Sequence, residues 1–370
     1  MPRSLTVMQL LPALESGGVE RSTLEIGAAL VAAGHRSVVV SAGGRLVPAL
    51  EAAGSEHIAL DLGRKSLRTL RHVRSLRELI ARERPDVVHL RSRLPAWIAH
   101  FAMRRLDGPR PHLVTTVHGL NSPGRYSAVL TRGERVICVS ETVRDYVVQH
   151  YPEVEHARLR VIARGVDASE FPFGHRVDAA WRERFFAAHP ALAGGPLLTL
   201  PGRGTRLKGH ADAVRLLAAL RTQGMDARLL LLGALEAGRE RYLAEIEALA
   251  LRLGVSAALA ISAARSDVRD VLACSALVLQ LSTQPEAFGR TAAEALSLGR
   301  PVLGYDHGGV GEILARHFPA GRVTPGDLDL ARTRAHALLA QPPVPAPYTG
   351  PTLADMQRAT LALYAELADA

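Results

Sequence analysis

Lysine is almost missing from this chain. Of 45 basic residues among 370, only Lys65 and Lys208 are lysine, and the rest are arginine. Such a bias fits a GC-rich coding sequence, so the number of arginines by itself says little. A lysine that survives the bias is a candidate for a specific role. Cysteine is as scarce. Cys138 and Cys274 show no ligand spacing, which excludes a disulfide scaffold or a cysteine metal site and fits buried thiols in a reducing cytosol. Aromatic residues make up 4%, no nucleic-acid motif is present, and the basic residues are spread out, so nucleic acid is the weakest of the anionic partners. No apolar run approaches the roughly 20 residues that span a bilayer. The opening Met1–Leu11 is apolar only briefly, with no small-residue cleavage site before Glu15, and it reads as a first strand and not as a secretory signal. There is no G-x-G-x-x-G fingerprint and no G-K-[ST] loop, which disfavours a nicotinamide enzyme and a P-loop enzyme.

What is present indicates a globular protein with two cores. Apolar content is 48%, charged content 22% and net charge +9; the length suits two domains. The basic balance points to phosphorylated substrates or acidic lipid. Short β-branched runs at 5–11, 37–41, 86–89, 112–118 and 135–139 alternate with helical segments at 19–33, 67–84, 96–105 and 141–150. The pattern breaks over 164–196, with a short helix between its glycines and prolines. A second alternation follows. Strands are expected at 197–201, 228–232, 257–261, 277–281 and 301–304, and helices at 208–223, 238–253, 267–273 and 289–298. The fold class is therefore α/β, with two doubly wound Rossmann-like domains facing across a cleft. Domain bounds are expected at 1–170 and 171–350. After the proline-rich 341–347, residues 351–370 form a last amphipathic helix.

The block Pro285-Glu286-Ala287-Phe288-Gly289-Arg290-Thr291-Ala292-Ala293-Glu294 carries most chemistry. It sets two carboxylates eight residues apart around a helix start. Amides at Phe288 and Gly289 lack helical acceptors, and the helix dipole favours an anion there. A phosphate at that point has a carboxylate on either side to accept hydrogen bonds from hydroxyl groups, which suits a sugar nucleotide. Chance capping is the plain alternative. Pro201-Gly202-Arg203-Gly204-Thr205-Arg206-Leu207-Lys208-Gly209 follows a strand, opens a helix and places three cations within six residues. Lys208 and a forked Arg203 suit a diphosphate leaving group; the alternative is a solvated basic turn. Gly17-Gly18 follows the first strand and opens the first helix, either as a close-approach phosphate turn or as an ordinary one. His118 and His89 end strands, where a histidine contacts a sugar hydroxyl or packs in a core. Asp306-His307-Gly308-Gly309 is a further glycine-rich loop at a helix start. The Asp327-Leu328-Asp329 triplet resembles a metal-binding D-x-D but sits after Thr-Pro-Gly before a helical pattern, so Asp327 is read as an N-cap. No metal site and no cofactor are expected. Residues 64–82 read as an amphipathic helix with Arg64, Arg68, Arg71, His72 and Arg82 on one face and Leu70, Val73, Leu76 and Ile80 largely on the other. That is a solvated face over a core stripe, or a surface for anionic lipid.

Together these motifs resemble the GT-B fold retaining glycosyltransferases of family 4, over nearly the whole chain. The E-x7-E block from Glu286 to Glu294 is the most specific part, followed by Arg203-x4-Lys208-Gly209. Val139-Ser140-Glu141 and Gly165-Val166-Asp167 fit as well. The resemblance implies that Arg203 and Lys208 hold a donor diphosphate, Glu286 contacts the donor sugar beside Ala287, Phe288, Gly289 and Arg290, and Glu294 binds the ribose. Gly17 and Gly18 would approach the diphosphate and His118 the transferred sugar, while the base lies near Ala264 and Arg265. It also implies a last helix crossing back to the first domain. The implied partners are a nucleotide-sugar donor and a glycan or lipid-linked acceptor, of envelope polysaccharide or lipopolysaccharide type. The implied setting is the cytoplasm, with peripheral contact to the inner membrane. Two positions depart from the family: Arg164 replaces a common asparagine, and Ala234 a common second glycine. The rival readings are a sugar-nucleotide epimerase of the same fold and a non-catalytic sugar-nucleotide binder.

Overall fold

The computed structural model describes residues 3–15, 17–64, 69, 71–344 and 346–369. Its contacts divide the chain into two units, residues 1–164 with 353–370, and residues 165–352. The strands of the first unit are β1 Thr6–Leu10, β2 Arg36–Ser41, β3 Glu56–Ala59, β4 Val87–Leu90, β5 His112–Val117, β6 Arg135–Cys138 and β7 Leu159–Val161. Those of the second are β8 Leu197–Pro201, β9 Arg228–Leu232, β10 Leu259–Ser262, β11 Leu277–Gln280, β12 Val302–Tyr305 and β13 Arg322–Val323. The helices before the second sheet are α1 Gly18–Ala32, α2 Val47–Ala52, α3 His72–Glu83, α4 Arg93–Met103, α5 Glu141–His150 and α6 Ala179–Ala188. Those after its first strand are α7 His210–Thr222, α8 Glu240–Arg252, α9 Val268–Cys274, α10 Arg290–Ser297, α11 Gly308–His317, α12 Leu328–Ala340 and α13 Leu353–Ala368.

Both sheets are parallel. Their orders are β3-β2-β1-β4-β5-β6-β7 and β10-β9-β8-β11-β12-β13. In each, the chain winds outward from a central strand, returns, and winds the other way. The switch points lie between β1 and β4 and between β8 and β11, and loops leaving the carboxyl ends of the strands there form the usual ligand crevice of this architecture. The apolar runs form these strands because both faces are covered. Leu229, Leu230 and Leu231 in β9 have no exposed surface, each burial contributing roughly 1.5–3 kcal/mol.

Three strands and one helix escape the sequence pattern. β3 has no buried residue, β7 spans three residues and β13 two, so none carries a β-branched alternation. α2 is six residues long. The described helix within 64–84 starts at His72. Lys65, Ser66, Leu67, Arg68 and Leu70 lie outside the described residues, and with them part of the expected basic face. The described part buries Leu76, Leu79 and Ile80, while Arg74 and Arg82 pair with Glu78 and Glu83. Asp327 caps α12 by accepting from the Leu330 N–H at 2.9 Å.

α13 belongs to the first unit. Its Met356, Leu363, Tyr364 and Leu367 close a core with Leu5, Val7, Ile26, Val87 and Val114. His89 sits under this helix. Its Nδ1 lies 2.6 Å from the Tyr364 hydroxyl and its Nε2 2.6 Å from Thr116 Oγ1. Of the two readings open for His89, packing in the core is the one the structure gives: it lies one residue before the strand end, 1% exposed, with both ring nitrogens bonded inside the core.

Candidate functional site

The second unit gathers its chemistry on two loops, one after β8 and one after β11. Gly202 continues from β8, held by its N–H donating to the Leu232 carbonyl. Thr205 and Lys208 then close a short turn over Arg206–Lys208. Gly209 must be glycine. Its φ is +75°, and a Cβ there would meet the Leu281 carbonyl oxygen at 1.9 Å. That close approach brings the loop against the end of β11, where the Thr283 N–H donates to the Leu207 carbonyl at 2.9 Å.

The two loops meet at an ion pair. Lys208 Nζ donates to Glu286 Oε1 at 2.7 Å, and the Ser282 hydroxyl donates to the same oxygen. Both side chains keep about a quarter of their surface, 29% and 23%. The lysine is therefore poised, and a ligand phosphate can compete for it. Arg203 is exposed, with no ion pair or side-chain hydrogen bond among the described residues. A guanidinium left free on the loop that carries Lys208 is available to an anion.

α10 supplies the other half. Gly289 caps it with φ +90°, and the Ala292 N–H closes the first turn on the Gly289 carbonyl. The Phe288 and Gly289 N–H groups have no acceptor among the described residues, so the helix presents orphan donors and the positive end of its dipole together. A second loop buttresses this backbone. Gly309 N–H donates to the Glu286 carbonyl at 2.8 Å. A Cβ at Gly308 would lie 2.5 Å from the same oxygen, and one at Gly309 2.4 Å from Phe288 Cα. His307 ties it down, its Nε2 donating to the Ser282 carbonyl at 2.8 Å. From sequence this stretch reads only as a glycine-rich loop at a helix start; the His307 side-chain bond spans 25 residues, with no local signal.

The remaining assigned residues behave differently. Glu294 is 6% exposed and accepts from Arg290 Nε at 3.2 Å across one helical turn. Arg265 follows β10 with Ala264, but its guanidinium is bidentate on Asp267 at 2.8 Å for both bonds and lies over the Phe185 ring. Its side chain is engaged, while the backbone at Ala264 passes within 3.9 Å of the Gly233 Cβ position.

In the first unit, Gly17 has φ +137° and caps α1, and Gly18 has open space where a side chain would be. His118 follows β5. Arg164 Nη2 donates to its Nδ1. A guanidinium has no acceptor, so Nδ1 holds the lone pair and the proton sits on Nε2, which is buried and unpartnered. Burial, then the Arg164 and Arg91 charges, hold this histidine well below the ordinary range, so it is a neutral donor. Arg164, the departure from the family's asparagine, is thereby a neighbour of an assigned residue. Among the described residues no cluster of three metal-ligating side chains forms, and no helix is long and apolar enough to cross a membrane.

The family model "Glycosyltransferase Family 4" matches residues 16–170, and "Glycosyl transferases group 1" matches 182–343. The chain belongs to the GT4-type glycosyltransferases of GT-B fold. It is similar to a D-inositol 3-phosphate glycosyltransferase of Nocardiopsis dassonvillei, 28% identical over 242 residues, which are 64% of this chain and 53% of the relative. The chain thus spans about half the length of the curated relatives it matches. A glycosyltransferase crystal structure from Rickettsia africae superposes with a TM-score of 0.81 at 26% identity, covering 98% of both chains. An Anabaena protein solved with UDP-glucose gives 0.78 at 20% identity, covering 99% of this chain and 98% of that one.

Proposed function

We propose that this protein transfers a sugar from a nucleoside diphosphate donor to a hydroxyl group of a glycan or lipid-linked acceptor, with retention and without a metal ion. The observation that carries the reading is the Lys208–Glu286 pair beside the free Arg203 and the orphan amides of α10. Arg203, Lys208 and the Phe288–Gly289 amides receive the diphosphate. Glu286, released from Lys208 as the phosphate takes the lysine, turns its carboxylate to the sugar hydroxyls. Glu294 accepts from the ribose, and the loop at Ala264 borders the base. For Gly17, Gly18 and His118 we keep the roles that the family resemblance gives them, with His118 Nε2–H donating to a sugar oxygen.

In the transfer, the bond from the anomeric carbon to the β-phosphate oxygen breaks and one to the acceptor oxygen forms on the same face. The acceptor proton passes to the departing phosphate. Negative charge grows on that phosphate, where the two cations and the helix end stabilise it. No nucleophile of the chain is needed. In this reading the acceptor is a bacterial envelope glycan, reached by peripheral contact with the cytoplasmic face of the inner membrane.

Lys208→Ala and Glu286→Ala test the site. Each removes a charge-assisted contact worth roughly 1.5–3 kcal/mol, so kcat/KM with a matched donor and acceptor falls about 10- to 100-fold while the melting temperature stays within a few degrees. Near-normal turnover in both variants refutes the assignment. Transfer also persists in excess chelator, and a loss there restores a metal role. Donor incubated without acceptor yields no epimer, which separates transfer from the rival chemistry.

A further inference from the structure

Three arginines of the second unit surround a cavity that the donor reading does not use. It is an open pocket of about 620 Å³ lined by Arg176, Arg182, Arg300, His175, Phe186 and Pro196, among others. No aspartate or glutamate lines it. It lies where the chain enters β8 and β11, at Pro196 and Ala276, the amino ends of the strands. The loops at 202–209 and 282–289 leave their carboxyl ends, so in a parallel sheet the two places are on opposite edges.

What sets this place apart is that three unpaired arginines share one lining. Several arginines elsewhere in the unit are matched with carboxylates: Arg206 with Glu245, Arg215 with Asp212, Arg221 and Arg228 with Asp226, and Arg322 with Asp306. Around the cavity, Arg176, Arg182 and Arg300 have no ion pair and no side-chain hydrogen bond among the described residues. Arg300 is half-buried, and its Nε is fully buried and unpartnered. Arg182 lies over the Phe186 ring, 5.8 Å from its centroid, which fixes its place on the wall. His175 is held by Asp270, Nε2 to Oδ1 at 2.7 Å, so that carboxylate is occupied. A buried N–H without an acceptor is costly to maintain, and the volume is that of a small-molecule site.

We propose that this pocket binds a phosphate-bearing small molecule, at a site separate from the donor diphosphate. Arg300 from the inner wall and Arg176 and Arg182 from the rim donate to its phosphate oxygens. Phe186 and Pro196 offer an apolar surface to the remainder of the ligand. The inference stands on the cavity alone and survives a failure of the transferase reading.

Inorganic pyrophosphate titrated into the full-length protein by calorimetry at low salt is the test. Wild type takes up two equivalents. The Arg203→Gln, Lys208→Ala variant keeps one of them. Adding Arg176→Gln and Arg182→Gln, two exposed positions whose loss spares the fold, weakens that remaining equivalent at least tenfold. Arg300→Gln does the same if it folds, judged by its circular dichroism. The proposal is overturned if the Arg203, Lys208 variant binds no pyrophosphate, or if its remaining equivalent is indifferent to Arg176 and Arg182. It is equally overturned if those two substitutions abolish capture by anionic phospholipid vesicles while leaving pyrophosphate uptake intact, since a lipid surface is then the ligand.

Discussion

His210 opens α7 with no exposed surface. Its Nδ1 lies 3.2 Å from the Tyr242 hydroxyl, and its Nε2 is buried without a partner. Burial is the main force on its titration. The Thr205 backbone opposes it, the Lys208 charge reinforces it, and the value falls from 6.5 to about 4. His89 and His118 are depressed in the same sense, mainly by burial and then by arginine charges. The native state therefore binds fewer protons than the unfolded chain between those values and the ordinary one. Stability is full above about pH 6.5 and is lost as pH falls. For His210 alone the span is on the order of 3 kcal/mol. The urea midpoint is expected to drop steadily from pH 7 to 4, and His210→Gln to remove part of that slope; identical slopes contradict a neutral buried ring. Nothing in the sequence singled out His210. Lys208 and Glu286 were legible by type and position, each as a ligand contact. Their mutual bond was not, because 78 residues separate them.

Elements show the same division. Strand and helix order followed from apolar runs and their spacing, and β8, β9 and α5 match to the residue. Short edge strands did not, because pairing with a neighbour and not their own pattern makes them strands. Glycine turns were legible as turns, but not for what they touch. Gly209 and Gly238 have nearly the same backbone, φ +75° and +78°, yet a Cβ at Gly209 meets the Leu281 carbonyl at 1.9 Å and one at Gly238 meets nothing within 4 Å. Gly238→Ala thus costs only the left-handed conformation, about 1 kcal/mol. Gly209→Ala adds displacement of the β11 end and should lower the melting temperature by clearly more. It should also disturb Lys208, one residue away, and so reduce donor binding. Equal melting shifts in the two variants mean that the loop yields without cost.

At the level of the whole chain, the last helix is part of the first unit's core although more than 180 residues intervene between residues 164 and 353. Tyr364 is fully buried among Leu5, Val87 and Ile137, and its hydroxyl partners His89. Tyr364→Phe keeps the packing and leaves His89 Nδ1 with only the Arg91 Nη1 at 3.5 Å, costing about 1–3 kcal/mol. Tyr364→Ala adds a cavity and costs about 3–5 kcal/mol. Urea unfolding of the two should rank in that order; equal stabilities mean that α13 does not anchor the core. Family and fold class were legible because the E-x7-E and R-x4-K-G blocks and the two βα alternations are local patterns.

The sequence by itself determined which segments become buried parallel strands, where the phosphate-seeking loops begin and which cations they carry, because periodicity, glycine and charge act over a few residues. Tertiary structure alone decided which of those charges are spent on each other. Glu286 is met by Lys208 and His118 by Arg164, whereas Arg203 and the three cavity arginines are left without carboxylates. Coulomb attraction and desolvation depend on distances of a few ångströms between residues that can lie scores of positions apart, and no local pattern encodes those distances.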